Sequence, residues 1–332
     1  MTVQCRILCQ NNKASLNVLT LIPLAPQGVF FFTCPAAGKH KHYDEGLCHN
    51  AGKQGEIIMA NDLHQDIIQR LENGTLEELN PKETFFFQCT DECMGNCCQN
   101  IDILLDPWDV ETMSRHLKIS GQDFVKTYCI LDMDSGMGWP SAQLKHVAQG
   151  TCAFMLDDGR CSIYTARSRN CRTAPIARAV RFQTNNGNQE SVEKIFMINP
   201  TNSCQGHKSS KKWTVQGWLE DSNAYEYYEL SDIHLELIYY AVQTLHSKQW
   251  LSEPVMKMMI PFLYAPDILR VKLSITLEDV GHKEFYKRRM RALRLILTEM
   301  AANLGFGPEV GQQNKKGSQS LMEMARETLV KE

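Results

Sequence analysis

The residues best suited to chemistry form a cysteine cluster in the first third of the chain. Cys89, Cys93, Cys97 and Cys98 fall within ten positions, and the last two are adjacent. Thiolates are common ligands of structural zinc and of iron–sulfur clusters. Gly95 and the Asp and Asn residues around it favour a loop that folds around an ion. Adjacent Cys97 and Cys98 point in different directions, so they serve different metal atoms or one of them is packing.

Four further cysteines follow later in the chain. A turn at Asp157-Asp158-Gly159 lies between the first two of them, and all eight thiols make two sets of four. Four thiolates suit a tetrahedral zinc site and also a two-iron or four-iron cluster. Core packing is the alternative, since free cysteine is often buried, but the neighbours here are charged or turn-forming. The predicted metal ligands are Cys89, Cys93, Cys97, Cys98, Cys152, Cys161, Cys171 and Cys204.

Composition restricts the class of protein. The 332-residue chain is 43% hydrophobic and 22% charged, and its formal net charge is -3. These values are typical of a soluble globular protein. The net charge provides no overall positive potential that would attract nucleic acid or anionic lipid. No apolar run reaches the roughly 18 residues of a membrane span. We therefore expect neither nucleic acid nor membrane as a partner.

The cysteine count bears on the compartment. The chain has 13 cysteines, and Met1 to Gln10 lack a signal-peptide pattern. This combination favours a reducing cytoplasm, where clustered thiols bind metal more often than they form disulfides. Cys5, Cys9 and Cys129 have apolar or unpatterned neighbours and are predicted to pack as small hydrophobes.

The first 58 residues differ from the rest in composition. Val29 to Phe32 is a candidate strand. A second metal site in this segment is a weaker hypothesis, because its spacings fit no recurring metal knuckle. The favoured interpretation is that translation starts at Met59, since "QGEIIM" is what a bacterial ribosome-binding site gives when translated. The candidate ligands of the second site are Cys34, His40, His42, Cys48 and His49.

Helices and strands are predicted on both sides of the cysteine cluster. Residues 63–71 have the apolar spacing of a helix, which Gly74 would close. Ile101 to Leu105 is predicted as a strand, and Pro107 opens a helix from about Trp108 to Leu117.

The segment after Cys204 is predicted to be mainly helical. Ser231 is predicted to cap a helix with an apolar face, and Thr276 with Asp279 resembles a capping motif for a helix ending near Asn303. That last helix carries the basic run "KEFYKRRMRALR". We interpret the run as a solvated face, with a docking surface for an acidic protein as the alternative.

The three cysteine-bearing segments carry a resemblance. "FQCTDECMGNCCQNIDILLDPWDV", "CAFMLDDGRCSIYTARSRNCRTAP" and "CQGHKSSKKWTVQGWLED" resemble the YkgJ-type, or CxxCxxCC, cysteine-cluster family, whose members are described as zinc- or iron-chelating. The resemblance covers roughly residues 83–220. Ala153, Ser168 and Gln205 stand where the family pattern has proline, and none of these departures removes a thiol.

The same superfamily includes the flagellin lysine N-methylases. The resemblance therefore implies S-adenosylmethionine and a protein lysine as reactants. The chain has no glycine-rich strand-to-helix nucleotide motif, so a conventional methyltransferase fold is not expected. Cys89, Cys93 and Cys97 are also spaced one residue too widely for the usual radical arrangement C-x3-C-x2-C.

These observations predict an α+β fold, with a small metal-stapled cysteine-cluster domain and a mainly helical C-terminal part. The predicted function is the binding of zinc or iron, as an iron–sulfur cluster, by the eight cysteines. The alternatives are a lysine N-methylase-like enzyme and a redox-inert zinc scaffold for a protein partner. The predicted segments are an N-terminal extension (1–58), the cysteine-cluster domain (59–220), a helical region (221–310) and a polar tail (311–332).

Overall fold

The computed structural model describes residues 29–32, 73, 77–99, 103–133, 138–147, 150–185, 188–198, 204–307 and 321–330. The helix predicted at residues 63–71, the start site at Met59, and Cys5 and Cys9 lie outside these residues. So do the second candidate metal site's ligands: Cys34, His40, His42, Cys48 and His49.

Strands and helices both occur, which confirms the α+β class. The strands are β1 (Val29–Phe32), β2 (Glu78–Leu79), β3 (Thr84–Phe86), β4 (Leu104–Leu105), β5 (Cys129–Asp132), β6 (Ser141–Leu144), β7 (Ile176–Asn185), β8 (Asn188–Met197) and β9 (Lys212–Thr214). The helices are α1 (Pro107–Leu117), α2 (Gly121–Tyr128), α3 (Arg169–Thr173), α4 (Val215–Asp221), α5 (Ala224–Tyr239), α6 (Glu253–Leu263), α7 (Pro266–Leu273), α8 (His282–Asn303) and α9 (Leu321–Val330).

The strands in the described part of the chain form three small antiparallel sheets. The largest has the order β1-β7-β8-β2, the second joins β3 to β9, and the third has the order β4-β6-β5. β1, which the sequence predicts as a strand, pairs with β7 in the register Val29↔Phe182. The pairing of β3 with β9 joins the chain just before the cysteine cluster to the chain just after Cys204.

α1 begins as the sequence predicts. Asp106 is its N-cap and accepts a hydrogen bond from the Asp109 backbone N–H, and the Asp109 carboxylate accepts one from the Asp106 N–H in return. Pro107 at the first helical position has the φ angle that a helix start requires. These reciprocal bonds fix the point where the chain turns from β4 into α1.

The C-terminal helices agree with the sequence pattern only in part. The prediction that Ser231 caps a helix is wrong, because α5 begins at Ala224 and Ser231 is buried inside it. Thr276 and Asp279 do bond reciprocally, but they close a turn before α8 starts at His282. α8 ends at Asn303 as predicted, and nearby Gly305 has a φ of 84°.

Every cation of the basic run on α8 has a partner within the protein. Lys283 pairs with Glu226 and Lys287 with Glu229, both on α5. The remaining contacts are Arg288 and Arg291 with Glu284, Arg289 with Glu111, and Arg294 over the Tyr240 ring. These contacts give each cation of the run a partner on the protein's own helices, which weakens the interpretation of this face as a docking surface for an acidic protein.

Among the residues that the structure describes, two apolar clusters form the interior. The larger contains Trp108, Phe124 and Leu293 and includes buried residues on both sides of residue 220. The smaller, around Phe85, Phe87 and Val215, adjoins Cys204. Within the described ranges, no helix has the length and apolarity that would be needed to cross a membrane.

Candidate metal centre

The cysteine cluster lies in a loop made of two short turns. Asp91–Cys93 and Asn96–Cys98 are single 3-10 turns, and Gly95 between them has a φ of 83°. Glycine reaches this left-handed conformation at little cost. A Cβ on Gly95 would lie 2.9 Å from the Cα of Gly159, so two glycine turns touch there. The loop predicted from Gly95 is confirmed.

Sheet pairing brings Cys204 to the start of this loop. Beyond the β3–β9 pair, the Phe87 N–H donates to the Lys211 carbonyl at 3.0 Å and the Gln88 N–H donates to the Gly206 carbonyl at 3.1 Å. The Phe87 side chain packs so closely that a Cβ on Gly206 would lie 2.7 Å from its ring. Cys89 and Cys204 therefore lie on adjacent backbone segments.

A second set of bonds brings Cys152 to the other end of the loop. The Cys152 N–H donates to the Cys98 carbonyl at 2.8 Å. Met155 and Cys161 then pair as an isolated bridge across the predicted turn, in which Gly159 has a φ of 80°. Cys171 lies in α3, where its N–H donates to the Ser168 side chain at 3.4 Å.

The thiols of Cys89, Cys93, Cys97 and Cys204 are neighbours, and we call them the first thiol group. Burial raises the pKa of Cys89, and the thiols of Cys97, Cys93 and Cys204 raise it further. Burial also raises the pKa of Cys204, while the Gly206 backbone lowers it and Cys93 and Cys97 raise it again. The Thr90 hydroxyl lowers the pKa of Cys93, against the opposing effect of burial.

The thiols of Cys98, Cys152, Cys161 and Cys171 form the second thiol group. Burial raises the pKa of Cys152, a hydrogen bond from the Phe154 backbone lowers it, and the Cys161 thiol raises it. Burial raises the pKa of Cys171 to about 12, although the residue retains solvent access. Cys152 and Cys161 contribute to that shift, so three chain segments meet in this group.

Cys97 and Cys98 join the two groups, and the Cys97 thiol adds to burial in raising the pKa of Cys152 and of Cys161. A hydrogen bond between their thiols lowers the pKa of Cys97 to about 6 and raises the pKa of Cys98. One of the two adjacent sulfurs is thus the most readily ionised of the cluster, because its negative charge is stabilised by the thiol beside it.

Arg167 is a cation whose charge acts on thiols of both groups. Its guanidinium lies 3.7 Å from the centre of the Tyr164 ring and donates to the Tyr164 carbonyl at 2.8 Å. It acts against burial to lower the pKa of both Cys89 and Cys161, so its charge reaches both thiol groups. Sequence reasoning missed Arg167, although it stands six residues after Cys161 in the cysteine-bearing segment.

The two arginines beside Cys171 have other partners. Arg169 pairs with Asp106 at 3.4 Å. Arg172 donates to the Ser222 and Arg167 carbonyls and lies over the Tyr227 ring. These contacts pair both arginines with carboxylate, carbonyl and aromatic groups. Their role is to anchor α3.

The donor set suits zinc or iron even though its atoms do not form a coordination shell. Among the residues that the structure describes, no three His, Cys, Asp or Glu side chains are placed to hold a metal ion. The nine described cysteines are free thiols. Eight belong to the two thiol groups, while Cys129 is buried elsewhere, with its pKa raised to about 12 by burial. Soft thiolates in fours are the ligands of closed zinc sites and of iron–sulfur clusters.

Comparison with known proteins gives one match. The model of the CxxCxxCC family, described as a "putative zinc- or iron-chelating domain", matches residues 88–208. Neither the curated proteins nor the solved structures give a match. The matched segment contains all eight thiols of the two groups. Residues 88–208 are therefore similar to the CxxCxxCC family, which is the family that the cysteine-bearing segments resemble.

Proposed function

We propose that the chain binds two metal centres, one in each thiol group, and that the metal is iron in iron–sulfur clusters. The observation that carries the proposal is that thiols from remote parts of the sequence lie close enough to shift one another's pKa values, and the division of the eight thiols into fours is part of the proposal. Cys204 lies beside Cys89, and Cys152 beside Cys98. Such groupings are costly to assemble without a ligand, because thiolates repel one another when their protons leave.

The surroundings of the sulfurs support iron. Backbone N–H groups of Gln205 and Gly206 face the Cys93 sulfur, and the Phe154 backbone faces that of Cys152. Hydrogen bonds to the ligand sulfurs and solvent access are two of the factors that set the reduction potential of a cluster. Cys89 and Cys97 are exposed, which gives the first centre access to solvent and to a redox partner.

Zinc in the same thiol groups is the second candidate. Four thiolates around zinc leave no position for a substrate, so the ions would act as staples for the loop. The close packing of Gly95 against Gly159 favours such a structural role. In that case the domain is redox-inert and serves as a scaffold for a protein partner.

Anaerobic purification with absorption spectroscopy, sulfide assay and elemental analysis distinguishes the candidates. A brown protein with iron and acid-labile sulfide supports the clusters, and a colourless protein with two zinc ions per chain supports the staple. Cys161→Ser and Cys204→Ser should each lose one centre, while Cys129→Ser, outside both groups, should retain two. Protein that holds neither metal after reconstitution would overturn both candidates.

Methyl transfer would be an extension of this proposal. If reconstituted protein moves label from S-adenosylmethionine to a protein lysine, the cluster is part of an enzyme. Cys204→Ser removes a proposed ligand and should lose this transfer. Cys129→Ser, which removes a thiol outside both groups, is the matched control and should retain it.

A further inference from the structure

A buried carboxylate connects α1 to the helix that carries Cys171. Asp109 is fully buried, and its Oδ1 accepts a hydrogen bond from the Arg169 backbone N–H at 2.7 Å. Its other oxygen accepts from the Asp106 N–H at 3.3 Å. The carboxylate therefore ties together two chain segments that lie 60 residues apart.

α3 depends on such ties for its position. The helix has five residues, Arg169–Thr173, and Cys171 is its middle residue. A helix this short is unstable on its own, because nucleation costs more than so few hydrogen bonds return. The first N–H groups of a helix also lack partners within the helix. Asp109 satisfies one of them, at Arg169, while the Ser168 side chain satisfies that of Cys171.

The side chain of Arg169 strengthens the same connection. Its Nη1 lies 3.4 Å from Oδ2 of Asp106, and both side chains are nearly inaccessible to solvent. Asp106 and Asp109 are also the two halves of the capping box of α1. The start of α1 and the start of α3 are thus one buried polar unit, and displacing Asp109 would release Cys171.

Burial raises the pKa of Asp109 to about 8, and an ionised Asp109 would not favour a thiolate at Cys171. Burial raises the pKa of Cys171, and the Cys152 thiol and the Asp109 carboxylate raise it as well. A residue that stabilised the thiolate through its charge would instead lower the pKa of Cys171. The contribution of Asp109 is therefore geometric.

We propose that Asp109 is a positioning residue for the second metal centre, holding α3 where Cys171 can complete the set of Cys98, Cys152 and Cys161. This inference rests on the proposed function, because it assumes that the second thiol group binds a metal. Loss of a residue that orients a metal ligand weakens binding by about 10- to 100-fold. The first thiol group, which contains no residue of α3, should be unaffected.

The test compares metal content and thiol protection in full-length protein. Each variant is reconstituted with iron and sulfide, or with zinc, and pulsed with N-ethylmaleimide before mass spectrometry of each cysteine. In Asp109→Ala, metal should fall to about half, and Cys171 should become labelled while Cys89 and Cys204 stay protected. Asp109→Asn keeps an acceptor oxygen for the Arg169 N–H and should retain more of the second centre.

Ser120→Ala is the matched control. Ser120 caps α2 in the same domain by accepting from the Asp123 N–H at 2.9 Å, so its loss weakens a helix start away from the thiols. This variant should keep both centres. If Asp109→Ala does not fold, Asp109→Asn is the second variant, because its single acceptor oxygen can serve only one of the two N–H donors and it should show the same selective labelling of Cys171 to a smaller extent.

The outcomes separate the two proposals. A wild-type protein without metal would overturn the proposed function itself. Metal-loaded wild type with unchanged Cys171 protection in Asp109→Ala, or in Asp109→Asn if the first variant is unfolded, would overturn the role of Asp109. So would equal exposure of both thiol groups in the folded variant, because a positioning residue of one centre must act selectively.

Discussion

Glu111 and Arg289 form an ion pair in the protein interior, joining α1 to α8 across 178 residues of sequence. Glu111 is 3% exposed and Arg289 is 0% exposed. Arg289 also donates to the Phe262 carbonyl at 2.8 Å, and His282 lies 3.1 Å from the other oxygen of Glu111. The pair fastens the cysteine-bearing half of the chain to its helical half.

Removing the Glu111 carboxylate should be strongly destabilising. Glu111→Ala leaves the guanidinium of Arg289 buried without its counter-charge, which costs about 3–5 kcal/mol in the free energy of unfolding. Urea denaturation measures this loss. Glu253→Ala is the control, because its pair with Lys257 is exposed and contributes about 0–1 kcal/mol. Similar small losses in both variants would contradict the prediction.

His234 should make the stability depend on acid pH. Burial lowers the pKa of His234 to about 4, and its Nε2 accepts a hydrogen bond from the Trp139 indole at 3.1 Å. The unfolded chain protonates this ring near pH 6.5, whereas the folded chain does so only near pH 4. Stability should therefore be complete above pH 6.5 and fall, by up to about 3 kcal/mol, as the pH drops toward 4.

His234→Gln provides the comparison for this pH dependence. Glutamine offers an acceptor oxygen to Trp139 but does not titrate, so the loss of stability between pH 6.5 and 4 should be smaller than in the wild type. Urea denaturation at several pH values measures the difference between the two proteins. Parallel pH profiles would show that His234 is not the responsible group.

The contact between Gly95 and Gly159 should be required for the loop. An alanine at position 95 would keep a left-handed φ and place its Cβ 2.9 Å from the Gly159 Cα. We expect Gly95→Ala to cost at least about 1–2 kcal/mol in unfolding free energy and to lower metal retention in both thiol groups. Gly281→Ala is the control, since no atom lies within 4 Å of its Cβ position. Equal effects of the two substitutions would contradict this view.

Removing the charge of Arg167 should weaken metal binding at both thiol groups. Arg167→Gln takes away the cation that lowers the pKa of Cys89 and of Cys161, so gathering thiolates becomes more costly. Competition with a chelator should reveal affinity lower by about tenfold, a typical effect for a residue outside the ligand set. Arg160→Gln, which loses only an exposed contact with Asp158, should bind metal as the wild type does.

Local sequence signals predicted those parts of the fold that depend on neighbouring residues. The start of α1 follows from Asp106-Pro107, and the turn at Gly159 from its glycine. The cap assigned to Ser231 failed because the apolar face of α5 extends back to Tyr227 and Tyr228, which bury the helix start before any serine is reached. The β7–β8 hairpin was missed, although Asn186-Gly187 in the sequence is a strong signal for a two-residue hairpin turn.

The grouping of the thiols could not be predicted from spacing. Sequence order separates the first four cysteines from the last four, whereas the folded chain puts Cys204 with Cys89 and Cys98 with Cys152. This exchange depends on the pairing of β3 with β9 and on the Cys152–Cys98 backbone bond. Asp109 escaped notice for the same reason, since its partner at Arg169 is remote in sequence.

In the folded chain Cys204 lies with the first thiol group and Cys98 with the second, and this arrangement affects the order in which the groups can be completed. Neither group consists of cysteines that are close together in the sequence. The first group needs Cys204, which follows residues 89–97 by more than 100 positions, and the second needs Cys98, which precedes its other members. During synthesis, the first group has to wait until Cys204 has left the ribosome. If the proposed centres form, the first can be completed only after the β3–β9 pair has closed.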